Sequence, residues 1–359
     1  MNKGKVLLGL SGGVDSSVSG LLLKQDGYEV DALFMRNWED DDGTPYCSAK
    51  EDFLDASFVA HQLEIELKEH NFSREYKDRV FKYFLAELEA GRTPNPDILC
   101  NKEIKFDVFY SYAMDHGYDF IATGHYAQTR KDGNKISLIK GLDQSKDQSY
   151  FLHAINGQVL EKTIFPIGNL EKSTVREIAR ENKLVTSEKK DSTGICFIGE
   201  RPFPEFLNNY ISHDPGSICN DEGIVLGKHI GLAFYTLGQR QGLGIGGQKQ
   251  FNNKPWYVAK KIKENNSLVV VQGNDHPLLF SDYLETKNIH LINDIPDSMF
   301  EGTAKVRYRQ QDQKCNISIK EGIIKVSFED PQRSITPGQS VVIYQDDICL
   351  GGGEISNIA

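Results

Sequence analysis

The sequence predicts a doubly wound, parallel-sheet α/β domain at the N-terminus and an antiparallel β-barrel at the C-terminus. Three observations carry this. An apolar run, Val6 to Leu10, has the length of a strand buried on both faces; it breaks at Ser11-Gly12-Gly13 and restarts at helical spacing with Val14, Val18, Leu21 and Leu22. Short apolar runs then keep alternating with helical patterns as far as about residue 190. From Leu268 onward, short β-branched runs alternate with turns: 268–271, 303–309, 317–319, 323–328 and 340–344.

The first turn is the most informative. Strand, glycine turn and helix together aim free backbone N–H groups and a positive dipole end at an anion. Adjacent glycines let the backbone approach phosphate oxygens, and Ser11, Ser16 and Ser17 add hydroxyl donors. No Gly-Lys-Ser/Thr follows, so this is not a Walker loop, and G-x-G-x-x-G is absent. The segment resembles the SGGxDS loop of ATP pyrophosphatases, which split ATP into AMP and pyrophosphate.

Glu29 to Met35 reads as the second strand; Met35 lines an adenine pocket or packs in the core. The acidic run Glu39–Asp42 reads as a solvated loop, with a magnesium contact as the weaker alternative. Ala56, Val59, Ala60 and Leu63 share a helical face, Ile65–Leu67 is a short strand, and Ser73 caps the next helix. Helical pattern stops at Gly91-Arg-Thr-Pro-Asn-Pro-Asp97, leaving Cys100 in the loop beyond, before another helix with Phe106, Phe109, Tyr110 and Ala113 inward. Phe120 to Thr123 is a buried strand whose end, Gly124, suits close approach of a nucleotide; His125 reads as a surface histidine. Lys146 to Leu152 opens another helix. Lys172–Lys190 is basic and reads as a solvated face or an RNA contact. Lys305, Arg307 and Arg309 alternate along a strand and would share one face.

At 359 residues, two or three domains are expected. A hydrophobic content of 39% supports packed cores and excludes a disordered chain. No apolar run is long enough to span a membrane, and the first strand begins too early for a leader, so a cytoplasmic location is expected. The net charge of −10 counts against bulk electrostatic binding of nucleic acid but leaves room for a local basic surface. Six scattered cysteines form neither a disulfide framework nor a C-x-x-C pair, and no metal site is expected.

An ATP pyrophosphatase loop implies that an oxygen of a second substrate is adenylated. The attacking group then decides the product. Sulfur delivery needs a cysteine that can hold a persulfide and profits from a second that resolves the intermediate. Cys100 and Cys196, in polar loops flanked by proline or glycine, read either as such a pair or as small buried hydrophobes.

Eight blocks carry a closer resemblance: Gly9–Ser16, Thr93–Phe106, Thr123–Ala127, Lys146–Leu152, Asp191–Gly199, Thr236–Arg240, Arg307–Gln310 and Cys349–Gly353. Together they resemble the tRNA-specific 2-thiouridylases, which replace the C2 oxygen of the wobble uridine with sulfur. The resemblance implies an ATP-pyrophosphatase domain over 1–205, a small central domain over 206–275 and a barrel over 276–359. It implies that Gly9, Leu10, Ser11, Gly12, Gly13, Val14, Asp15, Ser16, Met35 and Gly124 bind ATP, with Mg2+ balancing the pyrophosphate charge. Asn95, Pro96 and Asp97 would hold the base, with Asp97 as acid or base. Cys196 would carry the persulfide and form a transient disulfide with Cys100. Lys146, Asp147, Gln148, Arg307, Tyr308 and Arg309 would contact tRNA, and a separate protein would donate the sulfur. Two other readings stand beside this one: an amidating enzyme of the same loop class, and a non-catalytic tRNA-binding sulfur carrier.

Overall fold

The computed structural model describes residues 3–39, 49–133, 135–191, 203–246, 254–295 and 298–358. Cys47, Cys196, and with them the Cys100–Cys196 pairing, lie outside the described residues. The first sheet contains β1 (Lys5–Gly9), β2 (Glu29–Arg36), β3 (Leu67–Asn71), β4 (Phe120–Ala122) and, after a hairpin of β5 (Ala127–Asp132) and β6 (Lys135–Lys140), β7 (Thr163–Ile164). All its pairings are parallel, in the order β3-β2-β1-β4-β7.

Successive side chains of β1 point to opposite faces, and both faces are covered. Leu7 joins Leu33, Phe84, Phe109 and Ile121 on one side. Val6 and Leu8 join Val18, Ala32, Val59 and Ala122 on the other. The helices α1 (Val14–Gln25) and α2 (Ala49–Leu63) cover that second side, with the helix Lys172–Glu181 packed on α1. This is the doubly wound fold expected.

Four strands follow: β8 (Gly216–Cys219), β9 (Val225–His229), β10 (Trp256–Ile262) and β11 (Ser267–Gln272), in the order β10-β11-β8-β9. The run 268–271, expected as the first strand of the barrel series, therefore belongs to this middle sheet. The remaining strands are β12 (Phe280–Leu291), β13 (Ser298–Lys305), β14 (Gln313–Lys320), β15 (Ile323–Arg333), β16 (Ser340–Gln345) and β17 (Ile348–Ile358). They run antiparallel, and a β12–β17 pairing closes them into a barrel around Val306, Ile317, Val326 and Ile343.

The β5–β6 hairpin was not anticipated. It leaves the N-terminal sheet and extends the barrel sheet, with Leu138 opposite Cys349 and Ile139 opposite Ile348. At that seam Lys140 pairs with Asp312 and stacks 4.4 Å over the Tyr344 ring, while Lys305 lies 3.4 Å from Asp312 and 3.6 Å from Asp147. Buried charges satisfied in this way hold two segments in one register.

The strand expected over 303–309 ends at Lys305. Arg307 to Arg309 form a turn, and Arg309 has φ +60°. Lys305 is buried in the seam, so the three basic residues do not share a solvated face.

Candidate active site

The glycine turn sits where β1 ends, at the carboxyl edge of the parallel sheet, the usual ligand position in such folds. Gly13 is the N-cap of α1 and offers no side-chain cap. The first helical bond is that from Ser17 N–H to the Gly13 carbonyl, so the N–H groups of Val14, Asp15 and Ser16 have no partner within the helix. Two close approaches shape the turn. Gly12 has φ +75°, and a Cβ there would lie 2.2 Å from the Asp52 carbonyl oxygen. A Cβ on Gly124 would lie 2.8 Å from Ser16 N, so the end of β4 presses on the turn itself.

The hydroxyls act differently from expectation. Ser16 and Ser17 are buried and donate to the Gly13 carbonyl at 3.0 and 2.8 Å, and Ser11 N–H donates to Ser16 Oγ at 3.2 Å. They stiffen the turn; Ser11 alone of the three is exposed. Leu10 is equally internal, its N–H donating to the Leu33 carbonyl. Met35 reaches over Gly9 at the end of β2.

Beside the turn lies an ionic network that sequence reading missed. Asp15 accepts from Lys172 Nζ with both oxygens at 2.8 Å and from the Tyr126 hydroxyl at 2.7 Å. Lys172 also reaches Asp191 at 2.8 Å, where Lys146 and Arg176 converge at the same distance. Burial opposes ionisation of Asp191, but the bonds from Lys146 and Lys172 outweigh it and hold the carboxyl below its usual range. Burial, with Asp15 beside it, raises the Tyr126 phenol, which stays a neutral donor. Lys189 ties Asp52 and Asp55 on α2. Four of the basic residues read as a solvated or RNA-facing stretch, or as a tRNA contact, thus face inward. The signal was present: Lys172 and Arg176 lie four apart on the face that buries Val175 and Ala179.

The 93–100 segment is fixed by the Asn95 side chain and by two bonds to residues 337–339. Asn95 caps the next helix, its Oδ1 accepting from Asp97 N–H at 3.1 Å and Ile98 N–H at 3.4 Å, with Pro96 in the first turn. Thr93 N–H donates to the Pro337 carbonyl, and Gln339 Nε2 donates to the Thr93 carbonyl. Cys100 is not in a loop. It begins a π-helical stretch, Cys100–Val108, within a continuous helix over 96–115, and is 2% exposed among Ile98, Ile104 and Phe106. On that helix Phe109 reaches the end of β1 at Gly9, and Cys100 lies nine residues before it, on the stretch toward the barrel. Burial raises the Asp97 carboxyl, with Lys105 opposing. His125 is buried rather than on the surface; its Nδ1 pairs with Thr123 Oγ1 at 2.8 Å, and burial holds it well below its ordinary value.

Of the expected tRNA contacts, Asp147 is 4% exposed and accepts from the N–H groups of Gly141 and Ser149 and the Ser149 hydroxyl. Gln148 Oε1 accepts from Tyr126 N–H. Both shape the loop rather than present a surface. Tyr308 packs 4.3 Å from the Phe151 ring, and Arg307 donates to the Ser334 carbonyl at 2.7 Å. Arg309 is exposed.

A parallel sheet with an uncapped glycine turn and no Walker lysine defines a nucleotide-binding protein of the ATP-pyrophosphatase loop class. Family models match along the chain: a tRNA methyl transferase HUP domain over 4–200, a tRNA methyl transferase PRC-barrel domain over 204–272 and an aminomethyltransferase beta-barrel domain over 281–355. The tRNA-specific 2-thiouridylase MnmA of Francisella tularensis subsp. holarctica (strain FTNF002-00 / FTA) is 57% identical over 359 residues, covering 99% of this chain and 100% of that protein. That of subsp. novicida (strain U112) matches at the same identity and coverage. The chain belongs to the tRNA-specific 2-thiouridylase family. Among solved structures, a 4-thiouridine synthetase–RNA complex with bound ATP shares 20% identity at a TM-score of 0.37, covering 57% of this chain and 49% of that one. No helix among the described residues is long and apolar enough to cross a membrane.

Proposed function

We propose that this chain uses ATP to replace the C2 oxygen of the wobble uridine of tRNA with sulfur. The carrying observation is full-length 57% identity to 2-thiouridylases, together with a turn whose free N–H groups suit phosphate. The Val14–Ser16 amides and the α1 dipole hold the phosphates, Gly12 lets the turn pack on the Asp52 carbonyl, and Met35 borders the adenine. The uridine C2 oxygen attacks the α-phosphorus and pyrophosphate leaves. Sulfur carried on Cys196, delivered by a persulfide-donor protein, then attacks C2 and AMP leaves with the original oxygen. Cys100 thiolate then attacks Cys196 Sγ, the S–S bond breaks and leaves the outer sulfur on C2, and an external dithiol reduces the resulting Cys100–Cys196 disulfide for the next turnover.

Asp97, its carboxyl raised by burial, suits proton transfer at the base. Asn95 serves through the turn it caps, and Pro96 is buried there, so the base meets backbone and Asp97. No group of three or more His, Cys, Asp or Glu able to hold a metal occurs among the described residues, and both Asp15 oxygens are engaged. Mg2+ carried in with ATP would supply charge neutralisation at its phosphates. Arg309, exposed on the 306–309 turn, is the best placed of the expected phosphate contacts, with Arg307 beside it.

The test is mass analysis of nucleosides from tRNA incubated with the protein, ATP and a persulfide donor. The expected products are 2-thiouridine, AMP and pyrophosphate. ADP with orthophosphate, or thiouridine formed at the parent rate by Cys196→Ser, would sink the reading.

A further inference from the structure

Away from the phosphate turn, a cavity of about 570 Å³ opens between residues 91–93, the middle sheet and the barrel. Its wall carries three basic side chains, Arg92, Lys260 and Lys261, and no acidic one among the described residues, although the chain as a whole has a net charge of −10. Glu87 engages Arg92 on both its Nε and an Nη, and Lys260 is exposed. Lys261 is the cation left over. Its Nζ donates to the Gly91 carbonyl at 3.1 Å, and no carboxylate among the described residues forms an ion pair with it. Burial pushes its ammonium down to about 8. Thr93 Oγ1, in the same wall, is buried without a hydrogen-bond partner among the described residues. The apolar part of the wall includes Leu278, Phe280 and Ile358, each 39% exposed.

A half-buried cation held only by a backbone carbonyl and a buried hydroxyl without a partner are both costly, and each is relieved by an anionic acceptor. The volume falls in the range that holds a drug-sized ligand. We propose that this cavity binds a small organic anion, an aromatic or acyl carboxylate or sulfonate. Its charged end lies on Lys261 and Thr93, and its apolar body lies against Leu278 and Phe280. An apolar body fits better than a nucleotide, because a base asks for several in-plane hydrogen-bond partners that aliphatic and phenyl groups do not supply. The site stands apart from the phosphate turn and does not depend on the reaction proposed above.

The probe is anilinonaphthalene sulfonate, titrated by fluorescence into the full-length chain without ATP or tRNA. One saturable site is expected, weakened at least about tenfold by Lys261→Met, as for loss of one charge-assisted hydrogen bond, and largely restored by Lys261→Arg. Should the variants fold poorly, acetic anhydride labelling of the parent chain decides instead: bound probe should protect Lys261 and leave Lys260 reactive. The proposal is overturned by equal probe affinity in folded Lys261→Met, or by Lys261 labelling at the same rate with saturating probe. It is also overturned if tRNA displaces the probe and Lys261→Met weakens tRNA to the same degree, which would give the site to RNA.

Discussion

Two turns that each feed a helix, at 10–13 and at 93–95, do opposite things. At the first, Gly13 caps α1 without a side chain, and the leading amides stay available to a ligand. At the second, Asn95 Oδ1 takes the amides of Asp97 and Ile98, so that helix end is internally satisfied and presents side chains instead. A helix terminus is an anion site when nothing in the chain has already claimed its N–H groups. The glycines at the first turn are there for space, and the asparagine at the second is there for closure.

The largest effect should come from Gly12→Ala. The new methyl meets the Asp52 carbonyl at 2.2 Å from a backbone with φ +75°, so the turn must move. Calorimetric ATP affinity should fall by more than about tenfold, since the left-handed conformation alone costs about 1–2 kcal/mol in a residue with a Cβ. Retained affinity would mean that the phosphates lie elsewhere.

Next is the network that braces the first turn. Lys172→Met leaves Asp15 and Asp191 facing each other without their shared cation, and denaturant unfolding should show a loss of about 2 kcal/mol, discounted from fully buried pairs because both carboxylates are partly exposed. The pH dependence follows from the depressed carboxyl of Asp191. Its stabilisation is complete above the ordinary carboxylate value of about 4 and fades as pH falls through the depressed one. Asp191→Asn should therefore be less stable than the parent at neutral pH, with the gap closing in acid. A gap that widens in acid would contradict the sign.

Asn95→Ala tests the second turn and should cost about 1 kcal/mol of stability, with Asn95→Ser close to the parent. ATP affinity should not change, which separates the two turns. The smallest effect is electrostatic. Arg309→Ala should lower the salt slope of tRNA binding by about 0.7–0.9. Arg307→Ala, which loses its bond to the Ser334 carbonyl, should lower the melting temperature more than the slope.

The fold was readable because period and punctuation agree: Val6–Leu10, the glycine turn and the following helical spacing demand a strand buried on both faces. The barrel followed from its evenly spaced runs. The β5–β6 hairpin was hidden because its partner strand, Ile348–Ile358, lies some two hundred residues away and only tertiary pairing reveals it. Gly12 and Gly124 were legible for the same reason as the fold, each marking a close approach of backbone. Charges were not. Composition marks Lys146, Lys172, Arg176 and Lys305 as basic, but only packing shows that they pair with Asp191, Asp312 and the buried Asp147. Cys100 was misplaced because Pro94 and Pro96 suggested a loop, whereas Pro96 occupies the first helical turn, where proline is tolerated.

If the uncapped turn holds ATP, the uridine oxygen attacks its α-phosphorus and departs with AMP. Transcribed tRNA carrying a heavy oxygen isotope at C2 of the wobble uridine tests it directly, with ATP and a persulfide donor present and the nucleotide products weighed by mass spectrometry. One heavy oxygen should appear in AMP for each 2-thiouridine formed. Heavy oxygen in orthophosphate, or retained in the tRNA while AMP accumulates unlabelled, would contradict it.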